Sequence, residues 1–257
     1  MISIACGCRK QECLTLLQII CMKEKRFLLK LSGESLMGAS SYGIDPVMLK
    51  SYANEISEVC QKGVQLAIVI GGGNIFRGIK GSLQGFDRQT GDYMGMLATV
   101  INSLALQNAL EHLNVKVKLM SGLDIPKIAE KAYGPAAIDY LENGYVIIFS
   151  GGTGNPYFTT DTASALRAVE IRADAILKGT RVEGVYNDDP EKNPAALKYD
   201  RLTFREAYEK NLKIMDLTAF TLCEENNIPI VVFNMNQAGN LKKLVEGEKL
   251  GTLVSRE

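Results

Sequence analysis

Short, largely apolar runs recur along this chain. Runs of this length with apolar residues on both faces are typical of strands buried in a parallel sheet. The predicted strands are Arg26–Leu31, Val64–Ile70, Val115–Met120, Tyr145–Phe149, Ala173–Lys178 and Ile228–Phe233. Segments with helical spacing lie between most of them, and one begins at Asp45 and ends before Gly63. The alternation predicts an α/β fold, with an open, mostly parallel sheet covered by helices on both faces.

The longest helical pattern is predicted to begin at Asp92 and to run to Leu113. Its apolar residues recur every three or four positions, as they do on one face of an amphipathic helix. That face carries Met94, Leu97, Val100, Ile101, Leu104, Asn108 and Leu110–Leu113. Because an apolar helix face usually packs against a core, we expect these side chains to be buried.

Glycines or lysines stand where four of the predicted strands end. Lys30 lies near the end of the first strand, and Gly71–Asn74 follows the second. Gly151–Asn155 follows the strand at Tyr145–Phe149, and Lys178 ends a later one. In open parallel sheets, ligands bind beyond the carboxyl ends of the strands. The sequence therefore predicts a ligand site that brings these four segments together.

The segment after Tyr145–Phe149 has the composition of an anion site. It is rich in glycine, and Thr159, Thr160 and Asp161 then offer N-cap oxygens to an alanine-rich helix. A helix N-terminus has free N–H groups and a favourable dipole for a phosphate. By itself, the pattern also fits an ordinary turn between a strand and a helix.

Composition limits the classes of function. Lys plus Arg and Asp plus Glu both number 29, so no overall charge attracts the chain to nucleic acid or to an acidic membrane surface. No apolar run approaches the roughly 20 residues of a membrane-spanning helix. The single histidine, His112, excludes sites with several histidine ligands. The signature glycine loops of P-loop and dinucleotide-binding proteins are absent at the expected positions. Glycine loops, lysines and aspartates remain, and this inventory suits phosphoryl transfer.

The first 21 residues differ in composition from the rest. They contain four of the six cysteines, at spacings that match no zinc-binding pattern, and charged residues interrupt their apolar stretch. We expect 1–21 to be an extension outside the fold, and 22–257 to form one domain. The two remaining cysteines, Cys60 and Cys223, fit a reducing cytoplasm.

From about Met22 to its end, the chain resembles the bacterial uridylate kinases of the amino-acid kinase superfamily. Six segments carry the resemblance, in the family's order: KLSGES (Lys30–Ser35), VIGGGNIFRG (Val69–Gly78), GDYMGMLAT (Gly91–Thr99), GTGNPYFTTD (Gly152–Asp161), VEGVYNDDP (Val182–Pro190) and VFNMN (Val232–Asn236). The resemblance implies transfer of a phosphoryl group from ATP to UMP in pyrimidine nucleotide biosynthesis. It also implies Mg²⁺ that arrives with ATP, a cytoplasmic homohexamer, activation by GTP and inhibition by UTP.

The resemblance implies roles for residues at the ATP side. The ATP phosphates would be held by Lys30, Leu31, Ser32, Gly33 and Gly73. The adenosine would be held by Thr180, Tyr186 and Asp189. Lys30 and Lys178 would stabilise charge on the transferring group, and Asp161 and Asp216 would orient the two lysines. Both aspartates could instead be no more than helix caps.

The resemblance likewise implies a UMP site. Gly72 and Arg77 would contact the UMP phosphate, and Arg77 would also approach ATP. Asp92 would accept hydrogen bonds from the ribose hydroxyls. The uridine would be enclosed by Thr153, Gly154, Asn155, Pro156, Tyr157, Phe158, Thr159 and Thr160.

Two alternatives stay open at this point. A related kinase could phosphorylate a carboxylate or a carbamate, although Asp92 and the segment at 153–160 favour a nucleotide as acceptor. The chain could also be a catalytically silent nucleotide sensor, although it keeps both lysines and both aspartates.

Overall fold

The structure, a computed structural model, describes residues 25–76 and 85–256. A nine-stranded sheet forms its centre, in the order β4-β3-β5-β2-β1-β6-β10-β11-β9, and a separate ribbon pairs β7 with β8. The strands are β1 (Arg26–Leu31), β2 (Gln65–Ile70), β3 (Val117–Ser121), β4 (Glu130–Lys131), β5 (Val146–Ser150), β6 (Ala175–Thr180), β7 (Val185–Tyr186), β8 (Lys198–Tyr199), β9 (Arg201–Thr203), β10 (Ile230–Asn234) and β11 (Thr252–Ser255). Within the large sheet only β10 and β11 pair antiparallel. The mostly parallel sheet is confirmed.

Helices connect the strands, and five of the seven in the described ranges begin at a side chain that caps the first turn. They are α1 (Pro46–Cys60), α2 (Arg88–Glu111), α3 (Gly134–Glu142), α4 (Thr160–Glu170), α5 (Phe204–Glu209), α6 (Leu217–Glu225) and α7 (Asn240–Glu246), and a 3-10 turn covers Gly33–Met37. Asp45 caps α1 by accepting a hydrogen bond from Val47 N at 2.7 Å, with Pro46 at the first helical position. None of the helices in the described ranges is long and apolar enough to span a bilayer.

The sheet buries a hydrophobic core on each face. Side chains of β1 alternate between the two cores, since Phe27, Leu29 and Leu31 belong to one and Leu28 to the other. Helices α1, α2 and α7 cover the first face, and α3, α4, α5 and α6 cover the second. Helices on both faces are therefore confirmed. Lys30 lies on the same face of β1 as Leu28, and this face packs against α4.

Helix α2 begins one turn earlier than the sequence predicted. Asp87 is its N-cap and accepts a hydrogen bond from Thr90 N at 3.0 Å. The prediction of a start at Asp92 was wrong because the first turn, RQTG, contains no apolar residue to mark it. Asp92 therefore lies inside the helix, one turn from its N-terminus.

The predicted inner face of α2 is correct at Val100 and Leu110, which are buried, but wrong at its other large aliphatic positions. Leu97, Ile101 and Leu104 are 50%, 51% and 40% exposed. The buried face also includes polar residues, among them Thr99, Asn102 and Ser103, and its apolar members are Met96, Ala98, Val100, Leu106 and Leu110. The helix thus directs hydrogen-bonding groups toward the sheet and leaves an apolar stripe on its surface.

Candidate active site

The predicted convergence of strand ends is confirmed by the strand order. Strands β5, β2, β1 and β6 are consecutive neighbours and all parallel. Their carboxyl ends therefore lie side by side along one edge of the sheet, in the middle of that edge. This edge carries the four predicted segments, which are Lys30, Gly71–Asn74, Gly151–Asn155 and Lys178.

A carboxylate joins the two lysines at this edge. Lys30 and Lys178 are register partners on β1 and β6, so their side chains leave the sheet on the same face. Asp161, in the first turn of α4, lies 3.1 Å from Lys30 Nζ and 3.0 Å from Lys178 Nζ. The three side chains are only 12–19% exposed. Lys178 Nζ also donates to the carbonyl of Ile214.

Burial and charge compete in this cluster. Burial acts to raise the pKa of Asp161, but the ammonium groups of Lys30 and Lys178 outweigh it, so the pKa lies below its ordinary value. The pKa of Lys178 is lowered, first by burial and then by the charge of Lys30, while Asp161 acts in the opposite direction. Lys30 and Lys178 thus bring two ammonium groups to this edge of the sheet, which suits a polyphosphate, and Asp161 and the neighbouring Asp216 balance their charge.

Asp216 lies beside this cluster and makes different contacts. It caps α6 by accepting from Ala219 N at 2.9 Å, and it accepts from the hydroxyls of Thr159 and of Thr162, the latter at 2.8 Å. Within the described part of the chain it forms no ion pair with either lysine, although its charge raises the pKa of Lys178 against the larger lowering effects. The contacts of Asp216 thus join the start of α6 to the start of α4.

The glycine loop after β2 presents unused donors. Among the described residues, neither the Gly72 N–H nor the Gly73 N–H has a hydrogen-bond acceptor. Successive free N–H groups of this kind form an anion-binding concavity. Both glycines line a cavity of about 450 Å³ at the centre of the sheet edge.

This cavity gathers residues from three segments. The glycine loop, the first half of α2 and the segment at 152–160 supply its wall. Of the residues that the resemblance implies for UMP, the cavity is lined by Gly72, Asp92, Phe158, Thr159 and Thr160. The remaining lining residues in the described ranges, besides Gly73, are Phe76, Arg88, Gly91, Gly95, Met96, Thr99 and Gly152. Arg88 and Thr99 are polar cavity residues that sequence reasoning missed.

Asp92 is held from two sides. Arg88, one turn earlier on α2, approaches its carboxylate at 2.8 Å, and Tyr157 N donates to it at 2.8 Å. Tyr157 has a φ of 71°, a left-handed conformation that costs free energy for a residue with a side chain. The left-handed backbone at Tyr157 therefore directs its N–H toward Asp92. The Arg88 guanidinium lies 5.9 Å from the centre of the Tyr157 ring.

The rest of the segment implied for uridine does not line the cavity. Thr153, Gly154, Asn155, Pro156 and Tyr157 are not among the described residues that line it. Gly154 has a φ of 82°, and a Cβ there would lie 2.4 Å from the carbonyl oxygen of Gly122, so only glycine fits.

Of the described residues implied for ATP, only Gly73 lines this cavity. Leu31 is buried at the end of β1, and Ser32 and Gly33 form the turn after it. Thr180 Oγ1 donates within the protein, 2.7 Å from Val182 O. Tyr186 lies in β7, and Asp189 forms an exposed ion pair with Lys192 at 3.1 Å. Arg77 lies outside the described residues.

Comparison with known proteins identifies the family. The model of the amino acid kinase family matches residues 25–234. The chain belongs to the amino acid kinase family. Within it, the chain is 62% identical over 231 residues to a uridylate kinase of Porphyromonas gingivalis, a match that covers 90% of this chain and 97% of that protein.

Solved structures of this family have the same fold. A UMP kinase of Bacillus anthracis superposes with a TM-score of 0.88 at 38% identity, over 91% of this chain and 96% of the other. A UMP kinase of Ureaplasma parvum gives a TM-score of 0.86 at 41% identity, over 91% and 100% of the two chains. The amino-acid kinase architecture predicted from the sequence is therefore confirmed.

Proposed function

We propose that this chain is a uridylate kinase, which transfers the γ-phosphoryl group of ATP to UMP and forms ADP and UDP for pyrimidine nucleotide biosynthesis. The observation that carries the proposal is the Lys30–Asp161–Lys178 cluster beside a cavity that contains Asp92 and two free glycine N–H groups. Relatives with this name match the chain at 57–62% identity over nearly their whole length.

The cavity has the chemistry to bind a nucleoside monophosphate. Asp92 offers a carboxylate to the ribose diol, and the Gly72 N–H offers a donor to the phosphate. Thr160 also lines the cavity and offers a hydroxyl, whereas the Thr159 hydroxyl already donates to Asp216. The role of Arg77 as a second ligand of the UMP phosphate remains a prediction from the sequence. The roles of residues 153–157 as contacts of the uridine remain predictions from the sequence.

The lysine cluster suits the transfer step. An oxygen of the UMP phosphate forms a bond to the γ-phosphorus, and the bond from that phosphorus to its β,γ-bridging oxygen breaks, with the electron pair leaving on ADP. Lys30 and Lys178 stabilise the negative charge that redistributes between the two phosphates, and Asp161 holds their ammonium groups in place. Asp216 contributes by fixing the start of α4, where Asp161 lies.

ATP would bring its own Mg²⁺. The described residues contain no group of three or more His, Cys, Asp or Glu placed to hold a metal ion. A Mg²⁺ ion held by phosphate oxygens and water needs no such group. We therefore assign the metal to the nucleotide, with Ser32, Gly33 and Gly73 as phosphate ligands and Thr180, Tyr186 and Asp189 around the adenosine.

A binding experiment separates this proposal from a kinase that acts on a carboxylate or a carbamate. Calorimetric titration with UMP, CMP, N-acetylglutamate and carbamate should give the tightest binding for UMP. Tighter binding of a non-nucleotide acceptor would reject the assignment of the cavity. A nucleotide sensor without catalysis would bind UMP and ATP but would form no UDP.

Asp92→Asn is expected to weaken UMP binding by roughly tenfold to a hundredfold, because a charged acceptor is lost and only one oxygen remains for the diol. ATP binding should persist, since the side chain of Asp92 bonds to Arg88 and to the backbone of Tyr157, and neither residue is assigned to ATP. Calorimetry with each nucleotide separately checks this. An equal loss of affinity for ATP and UMP would show that the substitution disturbs the fold and not the ribose contact.

The exposed apolar stripe on α2 suits contact between copies of this chain. Tyr93, Leu97, Ile101 and Leu104 follow one another at helical spacing and are 37–51% exposed. We propose that a second copy of the chain covers them in a homohexamer.

The resemblance adds GTP and UTP as effectors and the cytoplasm as location. The free thiols of Cys60 and Cys223 agree with a reducing compartment.

Deletion of residues 1–21 is expected to leave folding and activity nearly unchanged. The first strand begins at Arg26 and the family match begins at residue 25, so the shortened chain keeps every described element. Circular dichroism and steady-state kinetics on both chains check this. Insoluble or inactive shortened protein would place part of this segment in the functional fold.

A further inference from the structure

Two asparagines meet in the protein interior behind the glycine loop. Asn74 ends this loop and is 2% exposed, and Asn102 lies on the inner face of α2 and is 0% exposed. Their side-chain amides bond to each other in both directions. Asn74 Nδ2 lies 3.0 Å from Asn102 Oδ1, and Asn102 Nδ2 lies 2.7 Å from Asn74 Oδ1.

The second N–H of each amide binds a backbone carbonyl. Asn102 Nδ2 donates to Gly71 O at 2.7 Å, and Asn74 Nδ2 donates to Gly43 O at 2.9 Å. The backbone of Gly43 returns a bond, since its N–H donates to Asn74 O at 2.9 Å. Because carbonyl oxygens only accept, these partners fix the orientation of both amides.

The turn after Lys30 packs against the same atoms. A Cβ built at Gly33 would lie 2.3 Å from Gly71 O and 2.6 Å from Asn74 Oδ1. The Ser32–Gly33 turn, proposed for the ATP phosphates, and the glycine loop, whose Gly72 is proposed for the UMP phosphate, therefore touch at the asparagine pair. A displacement of either amide would change the spacing between the two turns.

The pair also sets the direction of a proposed phosphate donor. The Gly71–Gly72 peptide bond is trans, so its C=O and N–H groups point in opposite directions. Asn102 holds the C=O, which directs the Gly72 N–H away from Asn102, while Gly72 itself lines the cavity.

We propose that Asn102, through its bonds to Asn74 and Gly71, is a positioning residue that fixes the donor and acceptor phosphate loops relative to each other. The proposal rests on the phosphoryl transfer proposed above. Neither asparagine is exposed enough to touch a nucleotide, so both act through the backbone. Because small displacements of reacting groups slow a reaction strongly, the effect of Asn102 should appear mainly in kcat.

The test uses Asn102→Asp in the full chain. This change keeps the shape and the acceptor for Asn74 Nδ2 but places an oxygen where the donor to Gly71 O and Asn74 Oδ1 stood. We expect kcat to fall by at least roughly tenfold, and by a larger factor than KM changes for ATP or UMP. If the buried carboxylate prevents folding, Asn102→Ala removes the same bonds without a charge and is expected to show the same change in kcat.

Two control variants on α2 separate positioning from general destabilisation. Leu110→Ala removes a 0% exposed side chain two turns further along the helix and should lower the melting temperature, with kcat within about twofold of wild type. Asn108→Asp adds an exposed charge and should leave the melting temperature and kcat nearly unchanged. All kinetics are measured at a temperature at which circular dichroism shows each variant folded.

The outcomes distinguish the two proposals. Wild-type protein that forms no UDP from UMP and ATP would reject the proposed function. Active wild type, with near-normal kcat in a folded Asn102→Asp or Asn102→Ala variant, would overturn the positioning role. The role would be overturned equally if Leu110→Ala lowered kcat as much as the Asn102 variants do.

Discussion

Asp161→Asn is expected to lower kcat by roughly 10²–10³-fold, the range for loss of one preorganised electrostatic contact. Asp161 is the carboxylate that lies within 3.1 Å of both lysines. Without its charge, the Lys30 and Lys178 ammonium groups repel each other in a buried site. They then lose the position in which they would meet the transferring phosphoryl group.

The pH dependence of this variant should also change. Asp161 raises the pKa of Lys178 against the lowering effects of burial and of Lys30. Its removal should lower that pKa further, so the alkaline limb of the kcat profile should move to lower pH. Asp139→Asn, an exposed change on α3, is the matched control and should leave rate and profile unchanged. An Asp161→Asn enzyme with normal kcat at every pH would contradict the role of the cluster.

Lys30→Met is expected to lower kcat by roughly 10²–10³-fold with a smaller effect on KM for either nucleotide. Methionine keeps much of the length of the side chain but removes the charge. An interaction that strengthens in the transition state contributes to kcat, whereas one equal in both states contributes to KM. Steady-state kinetics, with circular dichroism to verify folding, measure the effect.

Arg77→Gln provides the comparison for Lys30→Met. If Arg77 binds the UMP phosphate before and during transfer, its loss should mainly raise KM for UMP. If Arg77 were only an exposed surface charge, its substitution would have little effect on KM or kcat. Near-normal kcat in Lys30→Met would show that this lysine is not part of the catalytic cluster.

The central part of the fold could be predicted because its strands are apolar on both faces. Arg26–Leu31 is β1 with the predicted bounds, and the prediction at 145–149 differs from β5 by one residue. The two-residue strand β4 could not be found in this way. Glu130 and Lys131 are exposed and charged, and only their pairing with Met120 and Ser121 makes them a strand.

Helix α2 shows where periodicity misleads. The pattern correctly predicted a helix, but it placed the apolar stripe of Leu97, Ile101 and Leu104 in the core. The assumption behind that prediction is that an apolar face packs within its own chain. Here the inner face contains Thr99 and Asn102, whose hydrogen bonds to Gly151 N and Gly71 O hold two loops.

The candidate site was predictable to the extent that its residues end strands. Lys30 and Lys178 were placed at one edge by their positions in the sequence, and the register of β1 and β6 then makes them neighbours. No comparable pattern in the sequence pointed to the role of Asn102. An amide on a helix is usually exposed, and its partner Asn74 lies 28 residues away in the chain.

The central claim is that the chain moves a phosphoryl group from ATP to UMP. The most direct test is ³¹P NMR of the purified protein with ATP, Mg²⁺ and UMP, followed over time. We predict that UDP and ADP appear in equal amounts, and that neither forms at this rate when UMP or the protein is omitted. ADP formation that is independent of UMP, or the absence of any UDP, would contradict the account.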